Sequence, residues 1–148
     1  YFSRRIGLDG KEFSLLKFGT IYKTKKTSSP IDEHFTFLGK FLRRTQIDEI
    51  PQSINVFKGE MSIIGPRPYI VSECDVLNRK IPNFNARHRI RPGITGSAQL
   101  DYQHDNQKIG NALRKFQKDS LYVENATMWW DLGIIFRTIA AIITHGGR

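Results

Sequence analysis

Between Leu42 and Pro68 the chain reads Leu-Arg-Arg-Thr-Gln-Ile-Asp-Glu-Ile-Pro-Gln-Ser-Ile-Asn-Val-Phe-Lys-Gly-Glu-Met-Ser-Ile-Ile-Gly-Pro-Arg-Pro. Two adjacent carboxylates, Asp48 and Glu49, stand there among three arginines, Arg43, Arg44 and Arg67. Any fold must keep these charges close, and must compensate each one it takes out of water. An acidic pair ringed by fixed cations does so, and it suits a divalent metal together with a phosphate-bearing ligand. A plainer use is also open. Thr45, three residues before Asp48, matches a capping box; acids in a first turn complement the helix dipole, and Pro51 is tolerated there. Starting a helix needs only one acid, however, and it leaves the clustered arginines and Gly65-Pro66-Arg67-Pro68 unexplained.

The rest of the chain predicts a single α/β domain over residues 1–148, rich in helix, with short strands or a β-hairpin. Asp9-Gly10 signals a turn, and Lys11 to Phe18 alternates weakly as a strand after it. Lys23 to Asp32 is polar with Ser28-Ser29-Pro30 and reads as a loop. Helical spacing runs over Phe35 to Arg43, then from Ile47 to Lys58 with Gly59 as the stop. Met61 to Ile64 is a short apolar strand. Tyr69 to Asn78, Lys108 to Tyr122 and Thr127 to Thr144 read as helices. The last carries Trp129 and Trp130 at one end and only Asp131 and Arg137 as charges. That pattern fits an ordinary core helix, or an amphipathic helix at a membrane interface with an aromatic belt.

Charge narrows the partners. The chain has 148 residues and a formal net charge of +9, which favours anions: nucleic acid, lipid headgroups or nucleotide phosphates. Arg79 to Arg91 holds five Lys or Arg residues and no acid, which is either a solvated basic face or a phosphate-facing strip. Arg67, set between two prolines, has a stiff backbone and could clamp phosphate oxygens with little entropy loss. Arg91-Pro92-Gly93-Ile94-Thr95-Gly96 is a second rigid turn, although its spacing is neither a P-loop nor a dinucleotide fingerprint. Cys74 is the only cysteine, so no internal disulfide and no Cys-based metal site can form. His34, His88, His104 and His145 lack metal-ligand spacing, and there is no Gly-x-Ser-x-Gly elbow. The chemistry therefore rests on carboxylates and cations. A nucleic-acid-binding module is the rival class, but no helix-turn-helix, zinc or RNA-binding signature accompanies the charge.

The order of short motifs is specific. It runs Arg5-Ile6-Gly7, Gly10-Lys11-Glu12-Phe13, Lys17-Phe18-Gly19-Thr20-Ile21, Gly39 to Arg43, Asp48-Glu49-Ile50-Pro51-Gln52, Asn55 to Ser62, Gly65 to Pro68, Arg91 to Gln99, Asp119 to Asn125 and Asp131-Leu132. Over nearly its whole length the chain resembles the bacterial sugar transferase family, the monotopic polyprenyl-phosphate phosphoglycosyltransferases. The resemblance implies that Asp48 is a nucleophile and that Glu49 holds Mg²⁺, with Lys17, Arg43, Arg67, Arg87 and Arg91 binding substrate. It implies transfer of a sugar 1-phosphate from a nucleotide-sugar to polyprenyl phosphate at an anionic membrane surface. The setting would be the cytoplasmic face of a bacterial inner membrane, with homo-oligomerisation left open and nucleic acid not expected. The family carries a membrane-embedded helix before this point, and this chain begins without a methionine, so that anchor is expected to be missing.

Three departures stand out. Gly19 replaces the basic residue usual after Lys-Phe, Ser97 replaces a tryptophan, and Leu100-Asp101-Tyr102-Gln103 replaces a polar turn. They keep a catalytically impaired homologue in play. The rival class is separable by salt: nucleic-acid affinity should fall steeply with ionic strength, with no sequence-selective nanomolar site at physiological salt in a binding titration.

Overall fold

The computed structural model describes residues 1–20, 36–101 and 109–145. The polar loop expected over Lys23 to Asp32 lies outside them. The Asp9-Gly10 turn does join a hairpin. Strands β1 (Phe2–Ile6) and β2 (Glu12–Leu16) pair antiparallel, with Phe2 opposite Leu16 and Ile6 opposite Glu12. Asp9 and Gly10 both take positive φ, a conformation that Asp and Gly tolerate best.

The strand expected over Met61 to Ile64 is present, but its partner lies where the sequence shows only a rigid turn. Strand β3 (Ser62–Ile64) pairs in parallel with β4 (Gly93–Thr95), an element whose one apolar residue left no readable pattern. A parallel pair needs a crossover, here supplied by helix α3 (Val71–Lys80) and a 3-10 stretch over Phe84–Arg89. The strands meet almost backbone to backbone. A Cβ built on Gly93 would lie 2.1 Å from the Gly65 nitrogen, and one on Gly65 would lie 2.5 Å from the Arg91 carbonyl oxygen. The two glycine-proline turns of the sequence are thus one paired unit.

Two small cores flank this unit. Phe13, Leu15 and Met61 are packed with Val56 and Ile94 beneath the hairpin. Cys74, Leu77, Ile81 and Phe84 form the other core, with Ile6, Tyr69, Ala112 and Phe116 against it. Cys74 is fully buried, and its burial pushes the thiol up to about 11, which leaves it inert. Across this core Arg87, 2% exposed, bonds the Asp119 carboxylate at 2.7 Å and stacks over the Tyr69 ring at 4.3 Å. A buried ion pair survives only when such partners repay its desolvation.

The helices run α1 (Phe37–Arg44), α2 (Gln52–Phe57), α3, α4 (Ser97–Asp101), α5 (Ile109–Asn125) and α6 (Met128–His145). Asp101 binds Lys118 at 2.9 Å and Arg137 at 2.7 Å, which ties α4, α5 and α6 together. Helix α6 is not a plain core helix. Ile134 is buried, and the Thr95 and Thr138 hydroxyls meet at 2.8 Å, which docks α6 on β4. A second apolar stripe, including Trp129 (76% exposed), Phe136 and Ile143, faces outward. Trp130 instead packs edge-on against Tyr122. No described helix is long and apolar enough to cross a membrane. Gly93→Ala should therefore force β3 and β4 apart and lower stability by at least about 2 kcal/mol in a thermal melt followed by circular dichroism.

Candidate functional site

The expected helix from Ile47 to Lys58 is broken, and the break builds the site. Thr45 does not cap anything ahead of it; its hydroxyl donates backwards to the Phe41 carbonyl at 2.9 Å, closing α1. Gln46 then turns through positive φ, and Ile47–Glu49 form a single 3-10 turn. Pro51 stands just before α2, where its missing N–H costs nothing. Gly59, also at positive φ, ends the segment as expected. The acidic pair thus occupies a tight turn between two helices rather than the first turn of a long one.

Three other segments fix that turn. The Phe18 amide donates to the Asp48 carbonyl at 3.0 Å, joining the end of β2 to the acids. Asn55, fully buried in α2, accepts from the Leu16 amide at 3.1 Å and donates to the Ser14 carbonyl at 2.9 Å and to Glu60 at 2.7 Å. Helix α1 lies against Thr20 through Gly39, where a Cβ would fall 2.2 Å from the Thr20 carbonyl oxygen. Arg43 Nε then donates to Thr20 Oγ1 at 3.0 Å.

The cations converge on the pair. Lys17 Nζ lies 2.5 Å from Glu49 Oε1, and Arg67 Nη1 is 3.8 Å from the same oxygen. Asp48 is only 9% exposed. Burial is the main cause that holds its carboxyl above the ordinary carboxylate range; Lys17 and Arg43 pull it back, while Glu49 pushes it up. Burial likewise lowers the Lys17 ammonium, with Glu49 opposing. Lys17, Arg43, Arg67, Asp48 and Glu49 are therefore one electrostatic cluster; Arg44, which the charge pattern also sets beside the acids, is exposed at the end of α1.

Arg87 and Arg91 stand apart from it. Arg91 is exposed just before β4. Arg87 is core, and its Nη2 donates to the Arg67 carbonyl at 2.7 Å, so its contact with the cluster runs through the backbone of another arginine. Its Nη1 is buried without a hydrogen-bond partner among the described residues. Burial pushes its partner Asp119 up to about 6 against the pull of Arg87.

The Pro-Arg-Pro turn is held along its whole length. The Pro66 carbonyl accepts from the Gly93 amide at 3.0 Å, that of Arg67 from Arg87, that of Pro68 from Arg5 Nη1 at 3.2 Å, and that of Tyr69 from the Ile6 amide at 3.1 Å. Arg67 Nη1 also donates to Gln99 Oε1 at 3.3 Å. From there a cavity of about 860 Å³ extends toward α5, lined by Arg5, Arg67, Lys80, Arg87 and Lys115 with Glu73 and Asp119 as its acids. A cationic cleft beside paired carboxylates can bind a phosphorylated ligand and offer it a nucleophile.

Sequence reasoning did not single out Asn55, Gln99 or Asp119. Each lies inside a recognised motif, but the partners that give each its place, Leu16 and Ser14 for Asn55, Arg67 for Gln99 and Arg87 for Asp119, are distant in the chain. Of the departures, Gly19 is exposed, and Ser97 is buried with its hydroxyl unpartnered among the described residues. The Tyr102-Gln103 part of the third departure, together with His34 and His104, lies outside the described residues.

Known proteins resemble this chain over most of its length. The pattern of the bacterial sugar transferase family matches residues 1–145. The chain is 36% identical to the UDP-glucose:undecaprenyl-phosphate glucose-1-phosphate transferase of Klebsiella pneumoniae, over 91% of this chain and 30% of that protein. It is 35% identical to the UDP-N-acetylgalactosamine-undecaprenyl-phosphate N-acetylgalactosaminephosphotransferase of Aeromonas hydrophila, over 99% of this chain and 36% of that one. A Caulobacter vibrioides protein, named as a glucose-1-phosphate transferase like the first, is 34% identical over 95% of this chain and 55% of its own length. The chain thus spans about a third to a half of these relatives. The electrostatics are directly testable. Asp48 should titrate above the ordinary value of 3.8 in a carbon-13 carboxylate titration, and Lys17→Met, which removes an anion-stabilising charge, should move it further up.

Proposed function

The chain belongs to the bacterial sugar transferase family, and on that premise we propose that it transfers a sugar 1-phosphate from a UDP-sugar to a polyprenyl phosphate. The observation that carries this reading is the near-buried Asp48 beside Glu49, bracketed by Lys17, Arg43 and Arg67 at the end of a cationic cavity. The relatives' names supply the substrate classes.

An Asp48 oxygen attacks the phosphorus that bears the sugar. The bridging P–O bond breaks, and UMP leaves with the electron pair, so that an aspartyl phosphosugar remains. The lipid phosphate then attacks the same phosphorus. Its oxygen forms the new P–O bond, the acyl-phosphate bond breaks, and Asp48 departs as a carboxylate. No proton need move in either half. Lys17, Arg43 and Arg67 would neutralise charge that builds on the phosphoryl oxygens. The raised Asp48 carboxyl makes a better nucleophile than an ordinary aspartate once it is ionised.

The donor set fits Mg²⁺. Among the described residues no cluster of three or more His, Cys, Asp or Glu side chains could cage a metal. This ion takes one or two protein carboxylates and completes its shell with water and substrate phosphates. Glu49 would hold it, and when bound it withdraws negative charge from the diphosphate.

The exposed apolar stripe of α6, and Phe37 and Phe41 on α1, support seating at the cytoplasmic face of a bacterial inner membrane, where basic side chains meet anionic headgroups. The product would begin assembly of a capsule, O-antigen or exopolysaccharide. An impaired homologue is the second reading, favoured by Gly19 and by the unpartnered hydroxyl of Ser97. One experiment decides between them. Full-length protein with Mg²⁺ and a panel of UDP-sugars should gain the mass of a sugar phosphate and release UMP. Asp48→Asn should abolish the adduct, and Glu49→Gln should chiefly slow metal-dependent turnover. An adduct that persists in Asp48→Asn removes Asp48 from this role.

A further inference from the structure

A second cavity, of about 420 Å³, lies between the Ile47–Glu49 turn and α6. Its walls differ in kind from those of the cationic cleft. Ile50, Ile63, Ile94, Ile135, Ile139 and Ile142 line it, and Glu49 is its one ionisable wall residue among those described. The two cavities share Gln99. The Oε1 of Gln99 is taken by Arg67, but its Nε2 is buried with no hydrogen-bond partner among the described residues. A buried donor left unmade is costly, and this one stands where the cationic and apolar spaces meet. At the other end the slot opens past Ile139, half exposed, onto the outward stripe of Phe136 and Ile143.

A slot that is charged at one end and hydrocarbon along its length fits an amphiphile with an anionic head. Behind its end wall Lys17 and Arg67 meet Glu49, and Arg67 also holds Gln99, so a phosphate is drawn to that end despite Glu49. Two substrates must reach one aspartate in turn; the slot is walled by Ile47 and Glu49 of its turn, and the cationic cavity reaches Arg67, 3.8 Å from Glu49. We infer that the slot holds the phosphate-proximal isoprene units of the lipid acceptor. The acceptor phosphate lies at the Gln99–Arg67 junction, where Gln99 Nε2 donates to it, and the chain leaves across α6 into the bilayer. The slot is far too small for a whole polyprenyl chain. Selectivity therefore acts on the first few branched units, whose methyl groups pack on isoleucines and leave water behind. This inference rests on the transfer reaction proposed above, and it assigns the acceptor its own route to Asp48.

The test separates the two half-reactions. Full-length protein in phospholipid nanodiscs is loaded with UDP-glucose or UDP-N-acetylgalactosamine alone, and the adduct is followed by intact mass. Undecaprenyl phosphate is then titrated and its KM measured. Ile139→Trp and Ile50→Trp fill the slot from opposite walls at half-exposed positions. Both should load like wild type yet raise the lipid KM roughly tenfold or more. Loading itself reports that the variants are folded. A wild-type lipid KM in both variants overturns the slot and leaves the reaction standing. Loss of loading in both also overturns it, since these walls would then serve the donor half. If wild-type protein never forms an adduct, the proposed reaction falls, and the slot with it.

Discussion

Everything at this site hangs on a place where two stretches of backbone touch. Gly65 and Gly93 leave no room for side chains between β3 and β4, and this lets the turn after one strand hydrogen-bond to the other. The turn Pro66–Tyr69 then offers four consecutive carbonyls, which accept from three parts of the chain, β4, the 3-10 stretch and β1. A proline has no amide to donate, so such a turn cannot be anchored through its own N–H groups at residues 66 and 68. Its carbonyls do the anchoring instead. The outcome is a guanidinium whose backbone is immobile before any anion arrives, which reduces the entropy lost on binding.

The acidic pair is stable there for a related reason. An isolated buried carboxylate would take up a proton rather than remain charged. Lys17 and Arg43 counter that tendency at Asp48, and Lys17 sits within contact of Glu49. Neither partner is relaxed: the same burial that lifts the acid depresses the lysine. The two cations offset part of what burial does to Asp48, so the carboxyl is lifted less than burial alone would lift it. Arg87 and Asp119 form a second buried pair of opposite purpose, since they stiffen the backbone of Arg67 and touch no acid of the cluster.

Local chemistry reveals much of this, and it fails where a partner is distant. The hairpin is legible because Asp9-Gly10 dictates its turn, and most helices because their apolar residues recur at helical spacing. The grouping of Arg43, Asp48, Glu49 and Arg67 is legible as compensating charge, whereas Lys17, outside that run, is marked only by the family resemblance. The long helix expected from Ile47 is not found, because Gln46 reverses the chain and Thr45 spends its hydroxyl on α1. Strand β4 offers one apolar residue and a partner some thirty residues back in the chain, so no local period marks it. Arg87 reads as part of a solvated strip because Asp119, which buries it, lies on another helix. Helix α6 shows apolar residues on most of its surface, and periodicity cannot say which stripe the protein itself covers.

The parallel pairing of β3 with β4 also has a kinetic meaning. The hairpin and the single helices are local and can form within microseconds. Ser62 can meet Gly93 only after the whole segment from Gly65 to Pro92 has closed on itself, an entropic cost that precedes any reward. Arg67 and Gln99 flank this junction in the sequence, one after each strand, so the hydrogen bond between them waits on that closure. A chain whose strands have not yet paired therefore holds Asp48 and Glu49 with Lys17 and Arg43, while Arg67 lacks the pairing that seats it beside Glu49. The last cation of the cluster settles only with the last long-range contact.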